Sequence, residues 1–349
     1  MADAEDPLIG KDLDGYIIEE QIGRGGMGIV YRAYDPNLQR RVAVKTLYIG
    51  GASDEMRQRF EREAKLAAGV SHANVVSVFD VGRAEGHQYI VMDLVEGPTL
   101  DDLIDDGPLE GQRGLDLFCD IGRGLHRIHS LDLVHRDVKP SNVLVQHAGH
   151  ADERAMITDF GIARAAETQT ALTIGAIGTP EYMAPETASL ERATDRSDQY
   201  ALALMFYEML AGEHIFVGCD LPAAHRDAPV PDLGPRLPGA STSVRSAIAR
   251  ALDKDPARRF SSVEAFVEAV LRQEGATGAV PLDVSMEQVL AAEHPGALAI
   301  DDLVARVNVV ASTPVTAAQI DGRAELFPQL FRRLPDGRVA LRHPPKSSA

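Results

Sequence analysis

The sequence predicts an α+β chain of two unequal lobes with a small, mostly helical C-terminal extension. Residues 16–95 alternate β-branched and aromatic runs with turn residues, which is typical of consecutive antiparallel strands. After Thr99 the apolar residues recur three and four apart, which is typical of helices. Gly97 and Pro98 separate the two patterns. We therefore expect a strand-rich lobe over 16–95 and a mainly helical lobe over 96–273.

Five strand-like runs and one helix make up the expected first lobe. The runs are YIIEEQIG, IVYRAYD, RVAVKTL, VVSVFDVG and HQYIVMDLV. The helix begins near Ser53, which can cap it, and stops at Gly69. Its apolar residues share one face with Glu63, whereas Glu61 falls off that face. Glu63 is therefore the preferred ion-pair partner of Lys45, which ends the run VAVK.

The composition narrows the class of partner. Asp and Glu outnumber Lys and Arg by 52 to 35 in 349 residues, giving a formal net charge of −17. An acidic surface repels phosphate backbones, so nucleic acid and anionic membranes are disfavoured. The acidic residues 1–15 lack the features of a signal peptide, and no apolar run reaches the roughly 20 residues of a membrane span. We expect a cytoplasmic protein with an acidic leader and no membrane anchor.

A glycine pattern occurs between the first two strands. Gly23, Gly25, Gly28 and Val30 fit Gly-x-Gly-x-x-Gly-x-Val. A dinucleotide-binding turn has the same glycines, but a helix must follow it, and the run after Gly28 is typical of a strand. The pattern therefore predicts a hairpin over phosphates, in which glycines let backbone N–H groups approach the phosphate oxygens.

Four polar residues lie in the apolar stretch 133–161: Asp137, Lys139, Asn142 and Asp159. Phosphoryl transfer needs cations around the moving group and a residue that positions the incoming hydroxyl. Asp137 can accept the hydroxyl proton, and Lys139 can contact the phosphate. Asn142 and Asp159 can supply the hard oxygen ligands that Mg²⁺ prefers. The alternative is a solvated turn that carries these residues by chance.

The spacing of these residues, with Asp159-Phe160-Gly161, resembles the catalytic and metal-binding loops of protein kinases. The chain is similar to the eukaryotic-like, or Hanks-type, Ser/Thr protein kinases of bacteria. The resemblance implies a bilobal protein-kinase fold over 16–273, ATP and Mg²⁺ (or Mn²⁺) as cofactors, and phosphorylation of protein Ser and Thr hydroxyls. It implies ATP-binding residues Ile22, Gly23, Arg24, Gly25, Gly26, Met27, Gly28, Ile29, Val30, Ala43, Lys45, Met92, Asp93, Leu94 and Val95.

The segment after Asp159 is long and rich in small and polar residues. Its threonines Thr168, Thr170 and Thr173 are candidate phosphorylation sites, and Arg136 is the expected partner of an added phosphate. We hypothesise activation by autophosphorylation in trans, through a homodimer. The alternative is that the threonines are not modified and only make the loop soluble.

Other residues have implied structural roles. By resemblance, Thr179 lies near Asp137 and Lys139 and sets Ser/Thr specificity. Glu186 needs a partner if buried, and the resemblance points to Arg259. Asp198 is expected to accept hydrogen bonds from the catalytic-loop backbone, and His135 to stack beneath Phe160. His126 and His129 lack a third ligand nearby and are interpreted as packed or surface histidines.

The remaining regions are less specific. Five prolines in 213–241 predict that the helix that usually helps dock substrates is truncated or missing. Residues 274–284 are typical of a linker, and 285–349 contain amphipathic segments, a longer one over 317–334 and a strand-like GRVAL, that resemble no family. Two other functions stay open: a pseudokinase scaffold that binds partners, or a small-molecule kinase on the same fold. The complete residue set argues against the first and the long loop ending in GTPEYMAPE against the second.

Overall fold

The computed structural model describes most of the chain. The described residues are 6, 8–25, 28–47, 62, 64–84, 86–109, 111–159, 180–189, 191–217, 220–271, 286, 289–290, 296–310, 316–326 and 331–341. Strands dominate the first lobe and helices the second, as the sequence predicts.

Antiparallel strands form the sheet of the first lobe. The strands are β1 (Asp12–Leu13), β2 (Tyr16–Gly25), β3 (Gly28–Asp35), β4 (Arg40–Leu47), β5 (Val78–Ala84) and β6 (His87–Met92). Their order across the described sheet is β1-β2-β3-β4-β6-β5. The five expected strands are present, and a sixth, β1, comes from the segment expected to be a leader. Residues 64–68 form the end of the expected helix.

The described part of the acidic leader packs against this sheet. Leu8 and Leu13 are buried in its outer hydrophobic cluster. The Tyr31 hydroxyl donates to Asp6 Oδ2 at 2.8 Å, and the Tyr89 hydroxyl lies 2.7 Å from Asp14 Oδ2. Acidic residues of the leader therefore accept hydrogen bonds from buried tyrosines, and the lobe begins before Tyr16.

The second lobe is mainly helical. Its helices are α1 (Leu100–Asp105), α2 (Gly111–His129), α3 (Pro185–Ala188), α4 (Asp195–Ala211), α5 (Leu221–Asp227), α6 (Leu233–Arg236), α7 (Thr242–Ala251) and α8 (Val263–Leu271), and its hairpin is β7 (Val143–Gln146) with β8 (Arg154–Ile157). Thr99 and Thr194 begin α1 and α4 with capping boxes. The Pro-rich stretch 213–241 holds two short helices, α5 of 7 residues and α6 of 4 residues.

One hydrophobic cluster runs through both lobes. It joins Ala43 and Met92 of the sheet to the helices, where Phe118 stacks on Phe206 with ring centroids 4.0 Å apart. A shared core fixes the two lobes relative to each other. The cleft that carries the polar motif residues therefore has walls that are parts of a single packed body.

The C-terminal residues have a separate hydrophobic cluster. They include α9 (Ile300–Val310), α10 (Ala317–Leu326), β9 (Phe331–Arg333) and β10 (Val339–Leu341). The segment over 317–334 contains α10 and, after it, strand β9, and helical residues outnumber strand residues in the described part of the extension. Among the described residues, no helix combines the length and the apolarity that crossing a membrane requires.

Candidate active site

The β2–β3 hairpin forms the wall that the glycine pattern predicts. Gly23 pairs with Val30 and Gly25 with Gly28, so a strand follows the glycines. A Cβ atom at Gly28 would lie 1.8 Å from the Thr46 carbonyl oxygen, whereas one at Gly25 would meet nothing within 4 Å. Close strand packing therefore requires Gly28, and space for a ligand remains beside Gly25.

Alternation along β3 separates two of the expected ATP-binding residues. Val30 packs against the cluster that joins the two lobes. Ile29 instead lies in the outer cluster with Tyr31 and Val44. Successive side chains of a strand point to opposite faces, so the side chain of Ile29 is directed away from the cleft. An ATP contact through the Ile29 backbone stays a prediction.

The wall of the cleft around Ala43 and Met92 is apolar. Ala43 pairs with Met92, and both belong to the inner cluster. The Thr158 hydroxyl lies 3.9 Å from Met92 Sδ, which brings the residue before Asp159 to this wall. Met92 and Ala43, two of the expected ATP-binding residues, are therefore neighbours on one apolar wall, and their contact with ATP stays a prediction.

Residues 93–95, which are expected to bind ATP and lie between the two lobes, are here called the hinge and are anchored at both ends. The Asp93 N–H donates to the Ser77 carbonyl at 3.0 Å. Gly97 has φ 157°, and a Cβ atom there would lie 2.1 Å from the Val145 carbonyl oxygen. The Val145 N–H in turn donates to the Pro98 carbonyl at 2.9 Å. Only glycine allows the hinge to pass this close to β7.

Lys45 and Asp159 meet across the cleft. Lys45 Nζ lies 2.6 Å from Asp159 Oδ2, although 114 residues separate them. The Lys45 side chain is 11% exposed and that of Asp159 26%. Asp159 has φ 63°, a left-handed conformation that is uncommon outside glycine and often occurs at functional sites.

Asp137 is held by both other polar residues of its motif. Asp137 Oδ2 lies 2.9 Å from Lys139 Nζ and accepts a hydrogen bond from Asn142 Nδ2 at 2.9 Å. Asn142 Nδ2 also donates to the Asp137 carbonyl at 2.8 Å. Two donors thus fix the Asp137 carboxylate in an orientation where it can accept a hydroxyl proton.

His135 joins the catalytic loop to the strand that leads to Asp159. Its Nδ1 accepts from the Asp137 N–H at 3.2 Å, and its Nε2 donates to the Thr158 carbonyl at 3.1 Å. Burial lowers the pKa of His135, so the ring stays neutral and both bonds persist. His135 is buried as expected, whereas Phe160 lies outside the described residues.

Asp198 holds the backbone of the catalytic loop. It accepts from the backbone N–H groups of His135 at 2.7 Å and Arg136 at 2.8 Å, as predicted. His129 Nε2 lies 2.8 Å from Asp198 Oδ2. Burial acts to raise the pKa of Asp198, but the hydrogen bond and charge of His129 outweigh it and the pKa is lowered. The carboxylate therefore stays ionised and can hold Arg136, which has φ 69°.

His129 was missed as a member of this group. Its side chain is 12% exposed, and its spacing from His126 indicated only a packed or surface residue. Nothing local in the sequence links it to Asp198, which is 69 residues away.

The donor set fits Mg²⁺ with bound nucleotide. Asn142 and Asp159 are close because the Thr158 N–H donates to the Asn142 carbonyl at 3.0 Å. The Asn142 side-chain nitrogen is committed to Asp137, so the amide oxygen is the atom left for a metal. That oxygen and the Asp159 carboxylate are hard ligands of the type that Mg²⁺ prefers.

A buried ion pair holds Glu186, which ends the long segment that follows Asp159. Arg259 Nη1 and Nη2 donate to the two oxygens of Glu186 at 2.9 and 2.8 Å, as predicted. Ser197 Oγ donates to Glu186 Oε1 at 2.7 Å. Burial acts to raise the pKa of Glu186, but the Arg259 bonds outweigh it and the pKa is lowered. The bidentate geometry explains how both charges are tolerated in the interior.

A second anchor on this segment was not predicted. The buried Tyr182 hydroxyl donates to Glu208 Oε2 on α4. Glu208 Oε1 lies 3.3 Å from His214 Nδ1. Burial raises the pKa of Glu208 and also that of Tyr182. The segment that follows Thr179 is therefore tied to the helical core beside Asp137.

Several expected site residues lie outside the described residues. They are Gly26, Met27, Glu63, Phe160, Gly161, Thr168, Thr170, Thr173 and Thr179. The Lys45–Glu63 pair, the phosphorylation sites and the specificity role of Thr179 stay predictions.

Comparison with known proteins defines the class. A family model described as a protein kinase domain matches residues 16–271, so the chain belongs to the protein kinase family. Its curated relatives include the serine/threonine-protein kinase PknJ of Mycobacterium tuberculosis, 36% identical over 267 residues covering 74% of this chain and 45% of PknJ. PrkC of Bacillus subtilis is 39% identical over 264 residues, covering 74% of this chain and 40% of PrkC.

The solved structures agree with this assignment. The crystal structure of the Mycobacterium tuberculosis PknI kinase domain matches with a TM-score of 0.61 and 30% identity over 75% of this chain and 96% of that chain. The bilobal protein-kinase fold and the resemblance to bacterial Ser/Thr kinases are thereby confirmed. The chain spans about half the length of the curated relatives it matches.

Proposed function

We propose that this chain transfers the γ-phosphoryl group of ATP to Ser and Thr hydroxyls of proteins, with Mg²⁺ or Mn²⁺ as the metal. One observation carries the proposal: a proton acceptor, two metal-ligand side chains and a buried lysine converge on one cleft. Asp137 and Asn142 lie in direct contact, and Lys45 lies 2.6 Å from Asp159. The curated relatives, which are named serine/threonine-protein kinases, support the same chemistry.

The chain's own residues have distinct roles in this proposal. Asp137 accepts the proton of the attacking hydroxyl, and Asn142 keeps its carboxylate oriented. With nucleotide bound, Lys45 would contact a phosphate oxygen and Asp159 would hold the metal, so their 2.6 Å contact marks where the phosphates and the metal would bind. A bound Mg²⁺ neutralises phosphate charge that the protein would otherwise face alone. Lys139 adds a cation beside Asp137, where charge develops.

The acceptor is proposed to be a protein side chain. A cavity of about 30 Å³ lies beside Asp137, and Arg136, Tyr182 and Met183 contribute to its lining. The Tyr182 and Glu186 anchors hold this wall in place. The length of the segment that ends in GTPEYMAPE favours a protein acceptor over a small molecule.

We also propose that the kinase activates itself by trans-autophosphorylation within a homodimer. The candidate residues are Thr168, Thr170 and Thr173, and Arg136 is the partner of the phosphate. Mass spectrometry after incubation with ATP should find phosphate on these threonines, at a rate that rises with the square of protein concentration while the chain is mostly monomeric. Full activity with all three replaced by alanine would contradict the proposal.

The acidic surface supports a cytoplasmic setting without nucleic acid as a partner. The formal net charge is −17, and such a charge opposes binding to phosphate backbones. A gel-shift titration with duplex DNA at low salt should leave the DNA unbound, and a shift at micromolar protein would argue against this part.

Labelled phosphate transfer separates the candidate functions. The purified chain is incubated with radiolabelled ATP, Mg²⁺, a generic protein acceptor and, separately, a panel of small-molecule alcohols. We expect label on Ser and Thr of the protein acceptor, and its near loss in Lys45→Met. Lys11→Met, which removes an exposed lysine of the leader, is the matched control. Transfer only to small molecules, or none from the unaltered chain, would overturn the proposal.

A further inference from the structure

The C-terminal extension is a folded unit with a recognisable connectivity. Its cluster contains Met286, Leu290, Leu303, Ile320 and Phe331. Helical residues at 286, 289 and 290 are followed by α9, α10 and the β9–β10 hairpin. Leu298, between the first helix and α9, pairs antiparallel with Val339 of β10.

This order of elements is that of a winged-helix domain. In helix-turn-helix proteins that bind DNA, the second helix of the motif enters the groove of the nucleic acid. Helix α10 occupies that position here, but it packs against α2 of the kinase domain. Two arginines of the hairpin are also engaged: Arg333 pairs with Asp321 at 2.9 Å and Arg338 with Asp336 at 2.6 Å. The helix that would enter the groove therefore contacts the kinase domain instead.

The contact between α10 and α2 depends on a glycine. A Cβ atom at Gly322 would lie 2.1 Å from Arg123 Nη1 and 2.5 Å from its Cζ. The helix backbone of α10 thus lies directly against the Arg123 guanidinium. Any larger residue at position 322 must displace either Arg123 or α10.

Arg123 connects α10 to β8, the strand that precedes Asp159. Its Nη2 lies 2.6 Å from Asp120 Oδ1, and its Nε donates to the Cys119 carbonyl at 3.2 Å. The other Asp120 oxygen accepts from the Ala155 N–H on β8 at 2.9 Å. Strand β8 ends two residues before Asp159. A continuous set of contacts therefore joins the extension to the metal-ligand aspartate.

Asp120 needs its partners because it is buried. Burial raises the pKa of Asp120, and the Arg123 charge and the Ala155 hydrogen bond oppose this shift. If the Arg123 guanidinium moves away, the ionised carboxylate loses its main compensation. The hydrogen bond that Asp120 accepts from β8 then weakens with it.

We propose that α10 is an intramolecular brace: by docking on α2 it holds Arg123 against Asp120, and so fixes β8 and the position of Asp159. The interaction surface is the Arg123 face of α2, and its occupant is the Gly322 face of α10. Arg123 and Gly322 are positioning residues, since neither touches the reacting groups. The effect on Asp159 rests on the proposed kinase function, whereas the effect on β8 does not.

Hydrogen exchange in the full chain tests the brace without any need for activity. Gly322→Leu should speed exchange of the Ala155 amide by about tenfold, because the Asp120 bond that protects it opens more often. Leucine is a better helix former than glycine, so α10 itself is not weakened. Gly111→Leu is the matched control, because a Cβ atom at Gly111 on α2 meets nothing within 4 Å.

A comparison with the double variant tests whether Gly322 acts on β8 through Arg123. Arg123→Ala should reproduce the faster exchange, and the double variant should exchange no faster than either single variant, since both break one series of contacts. Unchanged Ala155 exchange in Gly322→Leu, even with α10 undocked, would overturn the brace. Additive effects of the two substitutions on Ala155 exchange, or no effect of Arg123→Ala, would show that Gly322 does not act through Arg123.

Activity measurements complete the test. If the proposed function holds, Gly322→Leu raises KM for Mg²⁺–ATP relative to Gly111→Leu with a smaller change in kcat, because Asp159 moves while Asp137 stays. A change in kcat alone would contradict the placement of the effect at Asp159. Should the chain prove inactive, the exchange result still decides whether the brace exists.

Discussion

The kinase domain and the C-terminal extension are held together in different ways. The kinase domain has a hydrophobic cluster shared by both lobes, and its catalytic loop is bonded to Asp198 and His135 from within that body. The extension has its own cluster and meets the domain through α10, where shape complementarity at Gly322 decides the fit. The expected catalytic residues therefore lie in the part with the shared cluster, and the extension has a cluster of its own.

Large-to-small substitutions in the two hydrophobic clusters should show whether the kinase domain and the extension unfold separately. Phe118→Ala empties a site packed against Phe206 and Phe266 and should cost about 3–5 kcal/mol of unfolding free energy. Leu303→Ala in the extension should cost about 2–5 kcal/mol of that unit's stability. In calorimetry, Phe118→Ala should lower the midpoint temperature of the main unfolding transition, and Leu303→Ala should lower that of a smaller transition. A single transition that both variants shift equally would argue against two units.

Acid should destabilise the kinase domain through His225. Its Nδ1 lies 3.1 Å from the Tyr200 hydroxyl, and its carbonyl accepts from Lys254 Nζ at 2.7 Å. Burial, with help from the Lys254 charge, lowers the pKa of His225 to about 4. Because the unfolded chain takes up the proton at about pH 6.5 and the folded chain resists it, stability is full above that pH. About 3 kcal/mol is then lost as pH falls to about 4.

Urea unfolding at several pH values measures this loss. His225→Gln removes the titrating group and should flatten the dependence between pH 6.5 and 4. His150→Gln, at an exposed position, should leave it unchanged. An equal slope in the His225 variant would show that other groups carry the acid sensitivity.

His129 should support the catalytic loop through Asp198. His129→Gln weakens a hydrogen bond to a buried carboxylate and should cost about 1.5–3 kcal/mol. It should also lower kcat, since Asp198 holds the backbone N–H groups of His135 and Arg136. His126→Gln on the same helix, where the side chain is 43% exposed, is the control. Equal effects of the two variants on kcat would remove His129 from the catalytic support.

The smallest effect should come from the hairpin of the extension. Gly337 has φ 82°, so Gly337→Ala should cost about 1–2 kcal/mol, visible only in the extension's transition. Gly239→Ala, in the kinase domain and with open space around the added Cβ, should change little. A loss in the main transition upon Gly337→Ala would mean that the two units melt together.

The sequence predicted the residues whose chemistry demands a type and a spacing. Asp137, Asn142 and Asp159 are recognisable because phosphoryl transfer needs a proton acceptor and oxygen ligands for a metal. Glu186 and Arg259 could be paired because a buried charge needs a partner, although only the resemblance to kinases chose the arginine.

Residues that act through tertiary contact could not be predicted in this way. His129 and Gly322 each matter because of a partner that the fold brings close, and neither carries a local pattern. Strand β1 was missed because two residues are too few for an alternation, and acidic residues around it favoured a leader. Ile29 is a different case, since alternation with Val30 was readable and would have placed its side chain outside the cleft.

The most direct measurement is single-turnover phosphate transfer to a protein acceptor by Asp137→Asn, with ATP binding titrated in parallel. Asparagine keeps the size of the side chain but cannot accept the hydroxyl proton, so transfer should slow by about 10²–10⁴-fold. The dissociation constant for Mg²⁺–ATP should change little, since Lys45, Asn142 and Asp159 remain. Transfer at the original rate in Asp137→Asn would contradict the assignment of this cleft as the site of phosphorylation.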